Sequence, residues 1–342
     1  MDFPASLEKE AFSKHLGKIQ SASREEANDH LSIDVAKIVR NAYVEADQSL
    51  ANKDVINIAV ACDGTWHKRG FTSHYNVTTI TDLLTGLILD YEVMCNYCPG
   101  CAKNKMDRNS AEYEHWYAQH KTSCQINHPG SSKSMESSAA VILFQRSVVK
   151  FNFRYTTLLN DGDRSVFNAI VSLNDNTGRY GENHTVSNED CITHISKRMK
   201  NGLDSVVQKC KIQGHVIDGK GRLTKDRVRA LKNYYGRAVK DNSGDLEAMY
   251  EATWATFFHY LADKPRHNHC PEGPKSWCWY NRQLAERVVS PVRDSNSQPL
   301  SKEVSEAILP VYKRLCDKNL LKRCLRRATQ NVNESINQII WK

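Results

Sequence analysis

The order of hydrophobic and polar positions divides the chain into an early part with strand patterns and a later part with helical patterns. Residues 1 to about 50 are polar, and the apolar residues of 31–39 recur at helical spacing, so this segment predicts helices. From Ile56 the pattern changes to an apolar run in which Asn57 is the only polar residue before Cys62. This run predicts a buried strand that ends at Asp63, with the turn-prone Gly64 after it.

Three further runs predict strands. A segment rich in Thr and Val covers about 75–80, and a turn at 82–86 leads to an apolar run over 87–94. The short connections between these first three strands favour an antiparallel meander. A fourth run, 154–159, ends at the polar turn 160–163. With helices expected over 135–149 and 165–173, the pattern predicts an α+β layer fold.

The remainder of the chain is predominantly helical in pattern. A basic helix is expected from Cys191 to about Ile212. The chain ends in a loop and a short helix, with Glu334 near the N-terminus of that helix. Between these segments we expect four helices, over 223–240, 245–261, 277–289 and 302–314.

Composition narrows the class of protein. The chain has 342 residues, 40% of them hydrophobic and 25% charged, as expected for a globular protein with a sizeable core. The net charge of +8 is compatible with a polyanionic partner. No run approaches the ~20 apolar residues of a membrane helix, and no secretory signal pattern opens the chain. The eleven cysteines are therefore expected to be reduced thiols or metal ligands.

One set of cysteines and histidines has the spacing of a zinc site. A Cys-x-x-Cys pair is followed by a His-x-x-x-Cys pair, which suits tetrahedral zinc. The predicted ligands are Cys98, Cys101, His120 and Cys124, with Cys95 and His115 as substitutes. The competing interpretation is four unrelated residues, but two half-sites at short loop spacing favour a structural Zn²⁺.

Two other sets are weaker candidates for metal. His267, Cys270 and Cys278 could form a second zinc site with His259 or His269, or they could belong to an ordinary turn. Cys191 and His194 lie about one helical turn apart and face the same way. They could bind metal with distant partners, or His194 could lie near a scissile phosphate. A packed cysteine with a capping or core histidine explains them equally well.

Three acidic positions could form a site for two magnesium ions. Asp63 and Asp161 each follow an apolar strand, and Glu334 lies on the last helix. Paired Mg²⁺ ions ~4 Å apart serve phosphodiester chemistry, and they require carboxylate ligands. Each acid also has an ordinary explanation, because Asp is common in turns and Glu is favoured in the first turn of a helix. Spacing alone does not decide between these interpretations.

Several sequence blocks, in order, resemble the Mutator-like transposase domain and the related Kolobok-type elements. The resemblance begins with Cys62-Asp-Gly-Thr-Trp66 and runs from about residue 55 to 342. Asn160 departs from the pattern, which has Gly there. The other blocks are Tyr97-Cys-Pro-Gly-Cys101, Gly130-Ser-Ser with Met135-Glu136, Asp161-Gly-Asp163, Cys191 with His194, Gly219–Thr224, Asn233-Tyr-Tyr-Gly236, Cys270 to Cys278, Thr329-Gln-Asn and Asn333-Glu-Ser335.

The resemblance implies a ribonuclease H-like core with an Asp-Asp-Glu triad. Position by position the triad is Asp63, Asp161 and Glu334, with Asp163 as the alternative second acid. It also implies a long helical insertion before the last catalytic helix. The expected organisation is an N-terminal helical segment 1–54 and a catalytic domain 55–342. Within that domain we expect a core of 55–215 and 325–342, a zinc-type segment 95–124 and an insertion of about 216–324.

The implied function is DNA transposition, by Mg²⁺-dependent cleavage of terminal-repeat DNA and strand transfer to target DNA. The alternative is a decayed or domesticated nuclear protein that binds DNA or other proteins. A homo-oligomer and a nuclear location follow from the same family expectation, and no membrane partner is expected. Basic residues predicted to contact DNA are Lys197, Arg198, Arg323, Arg326 and Arg327.

Overall fold

The protein is described by a computed structural model. The described residues are 9–68, 72–219, 222–261, 266–293 and 298–341, with side chains from residue 16 onward. The start of the predicted N-terminal segment, residues 1–8, lies outside the described residues. Among the described helices, none combines the length and apolarity needed to cross a bilayer.

A five-stranded sheet has the order β3-β2-β1-β4-β5. The first three strands form an antiparallel meander in which Asp63 of β1 pairs with Thr79 of β2. These pairings confirm the predicted meander, because short connections between successive strands favour antiparallel pairing. The strands are β1 Ile56–Trp66, β2 Tyr75–Asp82, β3 Ile88–Cys95, β4 Phe153–Asn160 and β5 Ser187–Asp190.

The helices surround two separate cores. The first group is α1 Lys9–Asp29, α2 Ala36–Ala46, α3 Pro99–Lys103, α4 Ala111–His120, α5 Met135–Phe151, α6 Ser165–Val171 and α7 Leu173–Asn176, and a π-helical turn, His30–Val35, joins α1 to α2. The second group is α8 Ile192–Ile212, α9 Lys225–Asp241, α10 Leu246–Phe258, α11 Trp279–Ala285, α12 Lys302–Leu315 and α13 Lys318–Lys322. The last helix, α14 Asn331–Ile340, instead packs against β1 with the first group. Single 3₁₀ turns cover Gln48–Leu50, Lys121–Ser123, Ser132–Ser134 and Glu182–His184.

The chain forms two compact units. The first comprises 1–158, 163–187 and 331–342, and the second comprises 159–162 and 188–330. The core of the first unit packs α5 and α2 against β1 and β4, with Phe144, Phe153 and Tyr155 fully buried. The second unit has a helical core built from α8, α9, α10 and α12, with Tyr235 and Tyr312 fully buried.

A buried charge network fixes α5 to the sheet of the first unit. Asp90 of β3 is fully buried and accepts two hydrogen bonds from the Arg146 guanidinium, at 2.6 and 2.9 Å. Lys150 adds a contact of 3.0 Å to Asp90, and Glu92 binds Arg146 at 2.6 Å. Because a buried charge is tolerated only when it is paired, these contacts specify the register of α5 on β3.

The predicted α+β class is confirmed, although several element bounds differ. The predicted helix 277–289 is wrong at its C-terminus, because α11 ends at Ala285 and Arg287 has a left-handed φ of 63°. The predicted helix 165–173 ends early at Val171. β5 was not predicted, since its Ser-Asn-Glu-Asp sequence has no apolar alternation.

Candidate functional site

Asp63 lies at the edge of the first core, near the C-terminal end of β1. Its side chain is half-buried, and Asn337 of α14 donates a hydrogen bond of 2.7 Å from Nδ2 to Asp63 Oδ2. A buried apolar strand thus delivers one carboxylate to a polar contact with the last helix. The interpretation of Asp63 as a plain turn residue is wrong, because β1 continues to Trp66.

The last helix, α14, packs on β1 beside that carboxylate. Trp341 donates from Nε1 to Thr65 Oγ1 at 3.1 Å, and its ring lies 5.2 Å from that of His67. Glu334 is half-buried in the first turn of α14, three residues before Asn337. Residues three apart are neighbours on a helix surface, so Glu334 lies on α14 next to the residue that contacts Asp63.

A third acid, Glu136, lies beside the same strand. A Cβ at Gly64 would lie 2.9 Å from Cγ and Cδ of Glu136, so the glycine allows this side chain to cross β1. Burial raises the pKa of the Cys62 thiol, and the negative charges of Glu136 and Asp63 raise it further. The two carboxylates therefore flank the end of β1.

Sequence reasoning did not assign a role to Glu136. It lies in the first turn of α5, where the helix dipole favours an acid in any protein. The available signals were its place in the Gly130–Glu136 block and the small residue at Gly64. Neither signal distinguishes a site residue from a helix cap without the packing of α5 on the sheet.

The turn after β4 holds both candidates for the second acid. Asp163 Oδ1 accepts a hydrogen bond of 2.9 Å from the backbone N–H of Ser165, which stabilises the start of α6. Asp161 is exposed, and its backbone carbonyl accepts a hydrogen bond of 2.6 Å from Arg198. The carboxylate of Asp163 thus has a local structural task at the start of a helix.

Asn160 has a structural explanation within the second unit. Its Oδ1 accepts a hydrogen bond of 2.8 Å from the backbone N–H of Gly162, and its Nδ2 donates to Asn188 Oδ1 at 2.7 Å. This side chain holds the turn and ties it to β5. The departure from the family's glycine therefore adds hydrogen bonds to the turn.

Gly162 should be the most sensitive backbone position of this turn. Its φ is 95°, and a Cβ would lie 0.9 Å from Arg198 Nη2. We expect Gly162→Ala to lower the free energy of unfolding by about 2–4 kcal/mol, through backbone strain and displacement of the guanidinium. Urea unfolding measures the change.

Gly214→Ala is the matched control for that prediction. Gly214 also has a positive φ, 80°, but nothing lies within 4 Å of the place that a Cβ would take there. This control should cost only about 1 kcal/mol. Equal losses for the two variants would contradict a role for the Arg198 contact.

Two of the five predicted DNA-binding residues share a buried acid in the second unit. Asp190 is buried and pairs with Arg323 Nε at 2.9 Å and with Arg198 Nη2 at 3.6 Å. Arg323 also donates to the carbonyl of Asn319 at 3.1 Å. Both guanidiniums therefore stabilise the protein around Asp190, and a DNA contact by them stays a prediction.

The other three basic residues are exposed. Arg326 makes a long ion pair of 3.4 Å with Glu189 and keeps about half of its side chain exposed. Arg327 has a left-handed φ of 56°, and Lys197 lies on α8. These positions can present charge to a phosphate backbone, and their DNA contact also stays a prediction.

Cys191 and His194 lie at the start of α8. Cys191 is fully buried, and its Sγ lies 3.0 Å from Thr193 Oγ1. His194 is half-buried in the first turn of the helix. The packed-cysteine interpretation accounts for Cys191, while a role for His194 near phosphate stays a prediction.

The first predicted cysteine and histidine set converges in the structure. The ligand atoms of its four members all lie within 4.8 Å of one another. Cys98 Sγ lies 3.2 Å from His120 Nε2, and Cys101 Sγ lies 3.6 Å from Cys124 Sγ. Tetrahedral zinc separates sulfur from nitrogen by about 3.6 Å and two sulfurs by about 3.8 Å. The four ligand atoms are therefore close enough together to hold one metal ion.

The substitutes proposed for this set lie elsewhere. Cys95 is buried, and its Sγ donates to the carbonyl of Tyr97 at 3.1 Å. His115 is exposed, with its Nε2 3.1 Å from Gln119 Nε2. Neither belongs to the converging group of the described residues.

Local structure orients the four side chains. Cys98 precedes α3 and Cys101 lies in its first turn, so the two thiols face one side. His120 ends α4, and Cys124 follows the 3₁₀ turn after it. A Cβ at Gly100 would lie 2.6 Å from the His120 ring, so only glycine leaves space for the imidazole.

Neighbouring polar groups support a metal-binding state. Ser123 Oγ lies 3.3 Å from His120 Nδ1, which leaves Nε2 facing the cysteines. Backbone N–H groups of Gln125 and then Cys101 hydrogen-bond to Cys98 and lower the pKa of its thiol to about 6. These donors favour the thiolate that binds metal.

The second set also converges, and the structure identifies its fourth member. His267, Cys270 and Cys278 meet His259, and the ligand atoms lie within 4.8 Å of one another. His269 is instead exposed, with Nδ1 3.0 Å from Glu251 Oε2. The fourth member is therefore His259.

The fold and these groups define an α+β protein consistent with a ribonuclease H-like transposase core. The model of the Mutator-like transposase family matches residues 1–278, and the chain belongs to that family. Neither the curated proteins nor the solved structures gave a match.

Proposed function

We propose that the chain is a DNA transposase that cleaves phosphodiester bonds with Mg²⁺ and an Asp-Asp-Glu triad. One observation carries this proposal: the Asn337–Asp63 hydrogen bond of 2.7 Å places the helix of Glu334 beside the end of β1. Two acids far apart in sequence, Asp63 and Glu334, thus belong to elements that pack together, which supports the proposal. Because the chain belongs to a transposase family, DNA is the proposed substrate.

The carboxylates on these packed elements fit magnesium. Asp63 and Glu136 flank the end of β1, and Glu334 lies on α14, which packs there. All are hard oxygen donors, which Mg²⁺ prefers over nitrogen or sulfur. When bound, the metal ions supply activation of the attacking oxygen and stabilisation of the leaving oxygen.

Each residue then has a distinct task. Asp63 would hold metal from the strand, and Asn337 orients the Asp63 carboxylate by its hydrogen bond to Oδ2. Glu334 provides the carboxylate of the last helix. The family resemblance makes Asp161 the proposed second acid, while Asp163 stabilises the start of α6 through its bond to Ser165.

The cluster of Cys98, Cys101, His120 and Cys124 is proposed to hold a structural Zn²⁺. Four protein ligands leave no open position for a substrate, which is typical of structural sites. Asn127 connects the segment after this cluster to the sheet. Its side chain accepts a hydrogen bond from the backbone N–H of Cys95 and donates one to the carbonyl of Val93, each at 2.7 Å. The zinc segment is thus anchored at the end of β3.

The partners follow from the reaction. The substrates are the element's terminal repeats and target DNA, contacted by the exposed Lys197, Arg326 and Arg327. A homo-oligomer would pair two element ends, and a nuclear location would give access to chromosomal DNA. Phosphate contacts of this kind weaken as salt rises.

A cleavage assay tests the proposed function. The purified chain is incubated with DNA that carries the ends of its own element and flanking sequence, in Mg²⁺ or EDTA. We expect nicks at the element ends, with free 3′-hydroxyls, only with Mg²⁺. Specific binding without cleavage in any metal would overturn the enzymatic proposal and support the DNA-binding alternative.

Glu136→Gln tests the acid that the sequence did not identify. The amide keeps the shape of the side chain but removes the charge beside Asp63. We expect cleavage at low Mg²⁺ to fall about 10–100-fold, with partial recovery at high Mg²⁺, because metal affinity is reduced. A Mg²⁺ titration of the cleavage rate measures both effects.

The control for Glu136 is Glu45→Gln. Glu45 is an exposed acid on α2 of the same unit. The Glu45→Gln variant should show the wild-type dependence of the cleavage rate on Mg²⁺. If the Mg²⁺ dependence of cleavage by Glu136→Gln equals that of the wild type, Glu136 is not part of the metal site. That result would leave the proposed triad unaffected.

A further inference from the structure

The second cysteine and histidine cluster closes a loop between two helices of the second unit. His259 directly follows α10, and Cys278 directly precedes α11. His267 and Cys270 lie in the connecting loop, of which residues 262–265 are outside the described part. His259, Cys270 and Cys278 are buried, and His267 is half-buried. Two helix ends and a loop therefore supply four ligand atoms to one small volume.

The interatomic distances match a tetrahedral centre. His259 Nδ1 lies 3.1 Å from His267 Nδ1 and 3.7 Å from Cys270 Sγ. Cys278 Sγ lies 3.5 Å from His267 Nδ1. Zinc bonds of ordinary length separate two nitrogens by about 3.3 Å, and sulfur from nitrogen by about 3.6 Å. Each measured distance lies within a few tenths of an ångström of these values.

The surroundings suit a neutral metal centre. Ala255, Trp277 and Tyr280 pack around the two thiols. The His267 ring stacks on Tyr280 at 4.6 Å, and the His259 ring meets Trp277 edge-on at 5.0 Å. Two thiolates and two neutral imidazoles around Zn²⁺ carry no net charge, so burial in this apolar wall has a low electrostatic cost.

Asn281 holds the loop in the shape that the cluster requires. Its Nδ2 donates to the carbonyl of Cys270 at 3.0 Å and approaches that of His267 at 3.3 Å. Its backbone N–H donates to Cys278 Sγ at 3.4 Å. Hydrogen bonds of this kind to ligand residues and to a ligating sulfur are the usual support of a metal site.

We propose that His259, His267, Cys270 and Cys278 bind a second structural Zn²⁺, separate from the zinc proposed at Cys98. Mixed thiolate and imidazole ligands select zinc over magnesium. Binding displaces the two thiol protons to solvent. The four protein ligands fill the tetrahedron, so no coordination position remains open for water.

The site fastens the loop 266–278 to α10 and so fixes Trp277. That indole stacks on Tyr234 of α9 at 4.6 Å. The metal therefore links α9, α10 and α11 around one point. This role does not depend on whether the protein cleaves DNA.

Metal analysis of the full chain tests the proposal. The protein is purified without chelator, and its zinc is measured by plasma mass spectrometry. We expect two equivalents per chain. His259→Ala and Cys278→Ser should each leave one, and Cys98→Ser combined with Cys278→Ser should leave none. The double variant separates the two clusters.

His269→Ala is the matched control for His259→Ala. His269 lies in the same loop but is exposed and pairs with Glu251. It should keep two equivalents. Equal zinc loss from His269→Ala and His259→Ala would overturn the ligand assignment. A wild-type protein with only one zinc equivalent, which His259→Ala also retains, would overturn it as well.

Cobalt substitution keeps the test valid if a variant fails to fold. Sulfur-to-cobalt absorption of the wild type should report five Co–S bonds, three from the first cluster and two from the second. His259→Cys should retain two metal equivalents and raise this signal to that of six bonds. A disulfide between Cys270 and Cys278, detected as two missing thiols in denaturant, would also overturn the proposal.

Discussion

Asp63→Ala is expected to abolish Mg²⁺-dependent cleavage of element-end DNA while the protein remains folded. Asp63 presents its carboxylate at the end of β1, where Asn337 contacts it at 2.7 Å. Without this carboxylate the proposed magnesium site would lose one of its ligands, and transition-state stabilisation would fall by several kcal/mol. We expect a loss of at least about 10³-fold, or ~4 kcal/mol, in a single-turnover cleavage assay.

Asp54→Ala is the matched control for Asp63→Ala. Asp54 is an exposed acid two residues before β1 in the same unit. It should retain wild-type cleavage and a wild-type melting temperature. Cleavage by Asp63→Ala at the wild-type rate would contradict the proposed triad. Loss of the cooperative melt in that variant would assign Asp63 to stability rather than catalysis.

Cys98→Ser should release one zinc equivalent and unfold the segment 95–124. Structural zinc contributes about 10–16 kcal/mol in small zinc modules, comparable to the whole stability of a domain, about 5–15 kcal/mol. The segment has little core of its own, since α4 buries none of its side chains completely. Loss of the proposed zinc would therefore remove the bonds that join α3 to the end of α4.

Zinc analysis and limited trypsin digestion measure that outcome. Cleavage is expected at Lys103, Lys105 and Lys121, which become accessible when the segment unfolds. Cys210→Ser is the control, because Cys210 is a half-buried cysteine of α8 outside the converging groups of described residues. Resistance of Cys98→Ser to trypsin, with its zinc retained, would contradict a structural metal there.

The two acids of the first unit illustrate what a sequence can and cannot reveal. Asp63 was recognisable because an apolar strand and a family motif both mark it. Glu136 was not, because an acid in the first turn of a helix is favoured everywhere. Its relevance comes from the packing of α5, which Arg146 and Asp90 fix on β3.

The two cysteine and histidine clusters show a similar division. Spacing alone grouped the four members of the first set, which the structure brings together, since both half-sites are local to short turns. In the second set spacing left His259 and His269 equally placed. The structure decided for His259, because the end of α10 directs it inward while His269 faces solvent and pairs with Glu251.

The sequence by itself determined the meander, the helical character of the later chain and the local half-sites, because those depend on residues close in the chain. It also placed the first candidate acid near a strand end. Only the tertiary structure added β5, brought α14 to β1, and gave Arg198 and Arg323 a buried partner in Asp190. Contacts between distant residues depend on how whole elements pack, and a local pattern of polar and apolar positions carries no record of that packing.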